Sequence, residues 1–268
     1  MMNAPPVLEV ENLNVRFATR ERQVSCVSDF SLRVERGECV GVVGESGAGK
    51  SQAFLAIMGL LASGGTASGR ARFESHELIG AQPAMLDRIR GARLSMIFQN
   101  PMTSLTPHLR VGDQVAELLV KHAGMSWRAA RTRALDALAK VQLPEPERRA
   151  RQYPHELSGG MRQRVMIAIA LACDPALVIA DEPTTALDVT IQAQILALLA
   201  ELKSARRLSL VLITHDLGAV AGIADRVAVM CAGRIVECGP VGTILRAPAH
   251  TYTQSLLQAA LRADGPDP

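Results

Sequence analysis

The chain has 268 residues, of which 48% are hydrophobic and 21% charged, and its formal net charge is +3. This length fits one large α/β domain or a domain with a sizeable insertion. The small net charge and the 3% content of aromatic residues argue against a nucleic-acid-binding protein. No apolar run reaches the roughly 18 to 20 residues that cross a bilayer, and no secretory signal is visible at the start. We therefore expect a cytosolic protein.

The five cysteines are expected to be reduced and mostly buried, because no pair of them has the spacing of metal ligands.

The first part of the chain predicts strands around a glycine-rich turn. Alternating residues over 7–17 and 31–34 are typical of half-buried strands, and the continuous apolar run 39–43 indicates a buried strand. The residues after Ser51 have helical spacing. Residues 64–69 are rich in glycine and serine and predict a loop, which is followed by an edge strand at 70–73.

The middle of the chain has a different character. Prolines 101 and 107 predict a loop, and residues 111–122 and 127–141 have helical periodicity, so we interpret this region as a helical insertion. Continuous apolar runs return at 177–180, 208–213 and 226–230, as in strands buried on both faces of a parallel sheet. A helix is predicted at 191–205. The chain contains no internal repeat.

One glycine-rich segment matches the phosphate-loop pattern G-x-x-x-x-G-K-[ST] at every fixed position, between an apolar strand and a helix. Glycines let the backbone wrap tightly, so that N–H groups and the helix N-terminus face phosphate oxygens. We expect Lys50 to reach the β- and γ-phosphates and Ser51 to offer its hydroxyl to Mg²⁺. The predicted nucleotide-binding residues of this segment are Gly44, Glu45, Ser46, Gly47, Ala48, Gly49, Lys50 and Ser51.

Polar residues follow two of the later strands. The run 177–180 ends in Asp181 and Glu182, at the edge where open α/β sheets bind ligands. We expect Asp181 to hold Mg²⁺, directly or through water, and Glu182 to polarise the attacking water. His215 follows the next strand and is expected to bond a γ-phosphate oxygen, a structural loop residue being the alternative. Gln99, where the insertion begins, is expected to contact Mg²⁺ or the lytic water.

A second glycine-rich turn opens a predicted helix at 161–173. Ser158 is a good N-cap, and two glycines leave the following N–H groups unshielded. The first phosphate site is complete without these donors, so the simplest interpretation is a nucleotide held between two copies of such a domain. A capped helix start without a ligand is the alternative. The residues of this turn are Leu157, Ser158, Gly159, Gly160 and Met161.

Taken in chain order, these motifs resemble an ABC-type ATPase domain over nearly the whole chain. The resemblance implies a P-loop (RecA-like) α/β core with an antiparallel β subdomain and a helical subdomain insertion. It implies a single domain, residues 1–268, with the core at 1–98 and 166–245, the helical subdomain at about 99–165 and a tail at 246–268. In that family two domains pack head to tail, and each ATP lies between the phosphate loop of one and the signature of the other.

The same resemblance assigns roles to individual residues. Residues 157–161 correspond to the signature, Asp188 to the D-loop and His215 to the switch histidine, while Glu182 is the catalytic glutamate and Gln99 belongs to the Q-loop. Phe17 resembles the aromatic residue that stacks on adenine.

A narrower similarity lies in residues 98–105, 182–189 and 250–257, which resemble the ATP-binding subunits of the peptide/nickel importer family. It implies an ATPase, with ATP and Mg²⁺ as cofactors, that powers dipeptide or oligopeptide uptake by nucleotide-driven dimer closure. The implied partners are a second ABC ATPase subunit, identical or paralogous, two integral-membrane permease subunits and an extracytoplasmic substrate-binding protein, with no nucleic acid. The implied location is the cytoplasmic face of the inner (plasma) membrane.

The sequence also leaves alternatives for the transported substrate and for the class of ABC ATPase. Many peptide-transporting members continue beyond this tail into an extension with a cysteine cluster, whereas no cysteine follows Cys238 here. We therefore expect no iron–sulfur cluster, and nickel or metal-chelate uptake stays open. An exporter subunit is disfavoured by the 250–257 tail and the neighbourhood of Gln99. A soluble ABC ATPase acting on DNA or ribosomes is remote, because the insertion is too short for long coiled coils.

Overall fold

The structure is a computed structural model that describes residues 5–18, 22–185 and 187–263. The strands are β1 (Leu8–Ala18), β2 (Gln23–Val34), β3 (Cys39–Val43), β4 (Gly65–Phe73), β5 (His76–Glu77), β6 (Leu94–Ile97), β7 (Leu177–Asp181), β8 (Ser209–Thr214), β9 (Arg226–Cys231) and β10 (Arg234–Pro240). The helices are α1 (Lys50–Ile57), α2 (Pro83–Ile89), α3 (Pro101–Ser104), α4 (Val111–Ala123), α5 (Trp127–Lys140), α6 (Pro146–Arg149), α7 (Gly159–Leu171), α8 (Val189–Arg206), α9 (Leu217–Ile223), α10 (Val241–Arg246) and α11 (Thr251–Ala263). A short 3₁₀ helix covers Pro154–Glu156.

The chain groups into two compact units. Unit 1 comprises Met1–Leu86 and Ser209–Pro268, and unit 2 comprises Asp87–Leu208.

Unit 1 contains an antiparallel sheet with the order β2-β1-β4-β5. The central strand β1 buries Leu8, Val10, Leu13 and Val15, and its register shifts after Val10 against β2 and after Glu11 against β4. The loop expected at 64–69 is wrong, because β4 already begins at Gly65 and pairs with β1 from there to its end. Backbone hydrogen bonds to β1 hold this glycine-rich stretch extended despite its low strand propensity.

The remaining strands of unit 1 are mainly parallel. β3 pairs in parallel with β8 and β9, and β10 runs antiparallel to β9. All residues of β3 and β8 are buried, which accounts for their continuous apolar runs. Gly41 of β3 allows α9 to pack closely, since a Cβ there would lie 2.5 Å from Val220 Cγ1.

Unit 2 combines two parallel strands with helices. β6 pairs with β7 from Leu94↔Leu177 to Ile97↔Ala180, and α4, α5 and α7 pack on one another through buried residues that include Val115, Leu138 and Val165. The predicted helices 111–122, 127–141 and 191–205 are confirmed within about a turn. Strand β6 was not predicted, because four residues are too few to show a period.

Within the described ranges no helix is both long and apolar enough to span a membrane.

Candidate ATP site and signature turn

The phosphate loop of unit 1 is shaped by its contacts with neighbouring backbone. β3 ends at Val43, and α1 begins at Lys50 after Gly49, whose φ is 94°. A Cβ on Gly49 would lie 2.3 Å from the carbonyl oxygen of Cys26, whereas a Cβ on Gly47, with φ of 82°, would meet nothing within 4 Å. The carbonyl oxygen of Ala48 accepts a hydrogen bond from Gly233 N at 3.0 Å. Residues of β2 and of the turn between β9 and β10 therefore constrain the conformation of the loop.

Lys50 closes the loop on itself. Its side chain is 4% exposed, and Nζ donates to the carbonyl oxygens of Gly44 at 2.7 Å and Glu45 at 2.9 Å. A buried ammonium held against backbone carbonyls inside a glycine-rich loop is a fixed positive charge for a phosphate group.

His215 lies just beyond the carboxyl end of β8. The backbone around it is fixed, because Asp216 N donates to Thr214 Oγ1 at 3.0 Å and Asp216 Oδ1 accepts from Gly218 N at 2.7 Å as the N-cap of α9. The imidazole itself is exposed. Phe17, near the end of β1, pairs with Gly65 of β4 and is half-buried.

In unit 2, three polar side chains lie together at the carboxyl end of β7, namely those of Gln99, Glu182 and Thr185. Gln99 Nε2 donates to Glu182 Oε2 at 2.9 Å, and Thr185 Oγ1 donates to the same oxygen at 2.8 Å. Because β6 and β7 are parallel and in register, Gln99 follows β6 at the same edge where Glu182 follows β7. Asp181, the last residue of β7, is 5% exposed. Glu182 has a φ of 45°.

The side chains predicted to bind Mg²⁺ carry suitable oxygen atoms. In unit 1 Ser51 offers a hydroxyl, and in unit 2 Asp181 offers a carboxylate and Gln99 an amide carbonyl, each an oxygen ligand of the kind that Mg²⁺ prefers. The described residues contain no group of three or more His, Cys, Asp or Glu side chains that could hold a metal ion. Magnesium suits such a sparse donor set, because it is commonly held by one or two protein groups together with substrate phosphates and water.

The signature turn is an exposed, capped helix start. Ser158 is the N-cap of α7, and its Oγ accepts from Met161 N at 3.4 Å. Ser158 and Gly159 are exposed, while Leu157 is buried. The glycines also have a packing role, since a Cβ on Gly159 would lie 3.3 Å from Leu187 and one on Gly160 2.8 Å from Ile191.

Asp188 is the N-cap of the helix that packs against this turn. Its Oδ1 accepts from Ile191 N at 3.0 Å at the start of α8.

The structure adds Arg162, which the sequence did not single out. Its guanidinium donates to the carbonyl oxygens of Pro154 at 2.7 Å and His155 at 3.3 Å, and to Met102 Sδ at 2.8 Å. Arg162 thus links the signature helix to α3, the segment that follows Gln99. One arginine in a chain with 29 lysines and arginines gives no signal by itself.

The structure also adds Tyr252 of α11. Its hydroxyl oxygen accepts from Glu45 N of the phosphate loop at 3.2 Å. Burial, together with the nearby Glu45 and Cys231, raises the pKa of the Tyr252 phenol, although the bond from Glu45 N–H opposes the rise. The hydroxyl is therefore protonated at neutral pH.

Comparisons with known proteins place this arrangement in a family. The ABC transporter family profile matches residues 27–185. The chain is 51% identical over 97% of its length to the oligopeptide transport ATP-binding protein OppD of Haemophilus influenzae, covering 80% of that protein. It is 50% identical over 96% of its length to the dipeptide transport ATP-binding protein DppD of Bacillus subtilis, covering 78% of that protein.

Solved structures give the same result for the fold. A dimeric post-hydrolysis state of the ATP-binding cassette MJ0796, bound to ADP and Pi, matches with a TM-score of 0.78 and 29% identity, over 87% of this chain and 98% of that one. The cassette cbiO1 from Clostridium perfringens, part of an ABC transporter complex, matches with a TM-score of 0.73 and 27% identity, over 91% of this chain and 97% of that one.

The class defined by fold and site is thus the P-loop ATPase cassette, as the motif order predicted. Within that class, the chain belongs to the ABC transporter family.

Proposed function

We propose that this chain is the ATP-binding and ATP-hydrolysing subunit of an ABC importer for dipeptides or oligopeptides. The observation that carries the hydrolytic part is the carboxylate of Glu182, oriented by Gln99 and Thr185 at the end of a buried strand. The peptide cargo is supported by relatives about half identical to this chain, which are named for oligopeptide or dipeptide transport.

The proposed chemistry assigns a role to each predicted site residue. The N–H groups of residues 44–51 and the Lys50 ammonium bind the phosphates, and Phe17 stacks on adenine. Glu182 accepts a hydrogen bond from the attacking water, Gln99 helps to orient that water, and His215 bonds a γ-phosphate oxygen. Ser51, Asp181 and Gln99 are the residues that would hold Mg²⁺, which would supply positive charge to neutralise the phosphates.

The proposed mechanism depends on the fixed orientation of the Glu182 carboxylate. Two donors on one carboxylate oxygen restrict rotation of the carboxyl group, so that a water can be held in line for attack without reorganisation. Glu182 has a left-handed φ of 45°, directly after β7 ends at Asp181.

The signature turn is proposed to act on a nucleotide bound by another ATPase subunit. Ser158 and Gly159 are exposed at the N-terminus of a helix of thirteen residues, where N–H groups and the helix dipole favour an anion. The similar MJ0796 cassette is dimeric in its structure. Asp188 lies beside the turn and is proposed to contact the second subunit, identical or paralogous.

The remaining partners follow from the proposed role in transport. They are two integral-membrane permease subunits and an extracytoplasmic binding protein, which would place the chain on the cytoplasmic face of the inner membrane. Nickel or a metal chelate is the alternative cargo, which the relatives, named for oligopeptide and dipeptide transport, do not favour.

The substitution Glu182→Gln tests the hydrolytic role. The amide keeps the shape of the side chain but no longer attracts the water's proton, so we expect ATP hydrolysis to fall by about 10²-fold or more. ATP binding should be retained, and the variant should accumulate as an ATP-bound closed dimer. Phosphate release and nucleotide titration measure the two effects.

Glu117→Gln is the matched control, since Glu117 is an exposed carboxylate of α4 in the same unit. It should hydrolyse ATP like the wild type. Wild-type turnover by Glu182→Gln would remove Glu182 from its assigned role.

A further inference from the structure

The C-terminal helix reaches the phosphate loop through one hydrogen bond. Glu45 N, in the loop, donates to the hydroxyl oxygen of Tyr252, in the first turn of α11, at 3.2 Å across 207 residues of sequence. We propose that Tyr252 is a positioning residue of the phosphate loop, through which the placement of α11 sets nucleotide affinity. This inference rests on the proposed ATPase function.

The peptide group that Tyr252 contacts is held on its other side by the loop itself. The carbonyl oxygen of Glu45 accepts from Lys50 Nζ at 2.9 Å and from Ala48 N at 3.2 Å. Tyr252 fixes the N–H of the same residue. Glu45 is thus fixed through both its N–H and its C=O, directly after Gly44, where the chain leaves β3. A shift at this point would change the positions of the N–H groups that follow in the loop.

Tyr252 is itself placed by a fixed framework rather than by a mobile tail. Glu237 of β10 accepts from Ala249 N at 2.7 Å and His250 N at 3.1 Å, just before α11. His250 Nδ1 then accepts from Tyr252 N at 3.1 Å. Thr253 is fully buried. β10 therefore holds the start of the helix, and the helix presents the phenol to the loop.

The electrostatics of Glu237 agree with this role. Although desolvation opposes it, the nearby Thr253 side chain and the hydrogen bonds from the N–H groups of Ala249 and His250 hold the pKa of Glu237 below its ordinary value. Glu237 is therefore ionised at neutral pH, and an ionised carboxylate is a stronger acceptor for these N–H groups than a neutral one.

Tyr252 does not have to touch the nucleotide to act. Its hydroxyl oxygen is engaged by a loop N–H, so its effect is to keep the loop in one conformation before a phosphate arrives. Removing one neutral hydrogen bond of this kind corresponds to roughly a two- to tenfold change in an equilibrium. The change should appear in ATP affinity and KM, whereas kcat should stay nearly constant because Glu182 and Gln99 are untouched.

The substitution Tyr252→Phe, made in the full chain, removes only the hydroxyl. We expect the Kd for Mg-ATP, measured by titration calorimetry, and the KM of the ATPase to rise by about two- to tenfold with kcat unchanged. Gln258→Ala, on an exposed position of the same helix, is the matched control and should leave both unchanged. An unaltered Kd and KM in Tyr252→Phe would overturn the proposal, as would an equal change in Gln258→Ala.

A second pair of variants tests the framework independently. Glu237→Gln retains an oxygen that can accept from Ala249 N and His250 N, and Glu237→Ala does not. ATP affinity should fall more in Glu237→Ala than in Glu237→Gln, and equal affinities in the two would contradict the proposed framework. Lys50→Ala separates the two levels of inference: if it binds ATP normally, the proposed function fails, whatever Tyr252→Phe shows.

Discussion

Two glycines of the phosphate loop differ in what a side chain would meet. Gly47 and Gly49 both have left-handed φ values, of 82° and 94°, but only Gly49 faces a backbone carbonyl, that of Cys26. Glycine is favoured at position 47 by conformation alone, whereas at position 49 it is required by both conformation and space. The phosphate-loop pattern demands glycine at position 49 and leaves position 47 free, in agreement with this difference.

Alanine at each position measures the difference. Gly47→Ala should destabilise the protein by about 1 to 2 kcal/mol, the cost of a left-handed non-glycine residue. Gly49→Ala should cost roughly 1 to 3 kcal/mol more, because the loop or β2 must shift to relieve the clash. Chemical denaturation of both variants gives the comparison, and equal losses would show that the contact with Cys26 does not constrain the loop.

The sequence predicted the residues that carry motifs better than those that act through backbone groups. Gln99 and Glu182 each carried a signal at a strand or insertion boundary, and the structure brings them within hydrogen-bond distance. Arg162 carried no such signal, and Tyr252 carried none beyond its place in the segment 250–257, because their partners are a backbone N–H, two carbonyls and a thioether. A hydrogen bond to a backbone group does not depend on the residue type of the partner, so such contacts are visible only in the structure.

At the scale of elements, periodicity predicted the helices α4, α5 and α8 and the buried strands β3, β7, β8 and β9, but not the thirteen-residue helix α11. It failed where neighbours decide the conformation. β4 was predicted to begin after a loop at 64–69, yet pairing with β1 extends it to Gly65. β6 has only four residues and was missed, although it positions Gln99 beside Glu182. Short or glycine-rich strands are stabilised by their ladder partners, which local sequence does not contain.

The signature turn gives a prediction at this scale, because the chain contains a second serine cap of the same kind. Ser158 caps α7 and Ser126 caps α5, each accepting from the N–H group three residues ahead. Replacing either serine by alanine should cost about 1 kcal/mol of stability. Only Ser158→Ala should also lower ATP hydrolysis in the assembled transporter, by about tenfold or more, through loss of a donor to a phosphate.

ATP binding by the isolated chain should be the same in both serine variants, because the signature acts on a nucleotide bound elsewhere. Assays of binding and of turnover in the same preparations separate the effects. An equal loss of turnover in Ser126→Ala would show that Ser158 is no more than a helix cap.

At the scale of the whole molecule, membership of the ABC transporter family rests on a match that extends through most of the chain. The residues of this chain do not determine the cargo, because in the proposed assembly only the binding protein and the permease contact it. The proposal of peptide uptake must therefore be tested in the assembled transporter. The absence of an iron–sulfur cluster remains a prediction from the sequence.

The most direct measurement is the ATPase rate of the importer reconstituted in proteoliposomes with its permease subunits and its partner ATPase. Addition of the binding protein loaded with an oligopeptide should raise the rate, and the Glu182→Gln variant should abolish the stimulated rate. Stimulation only by a binding protein loaded with nickel or a metal chelate, or no dependence on any loaded binding protein, would contradict the account.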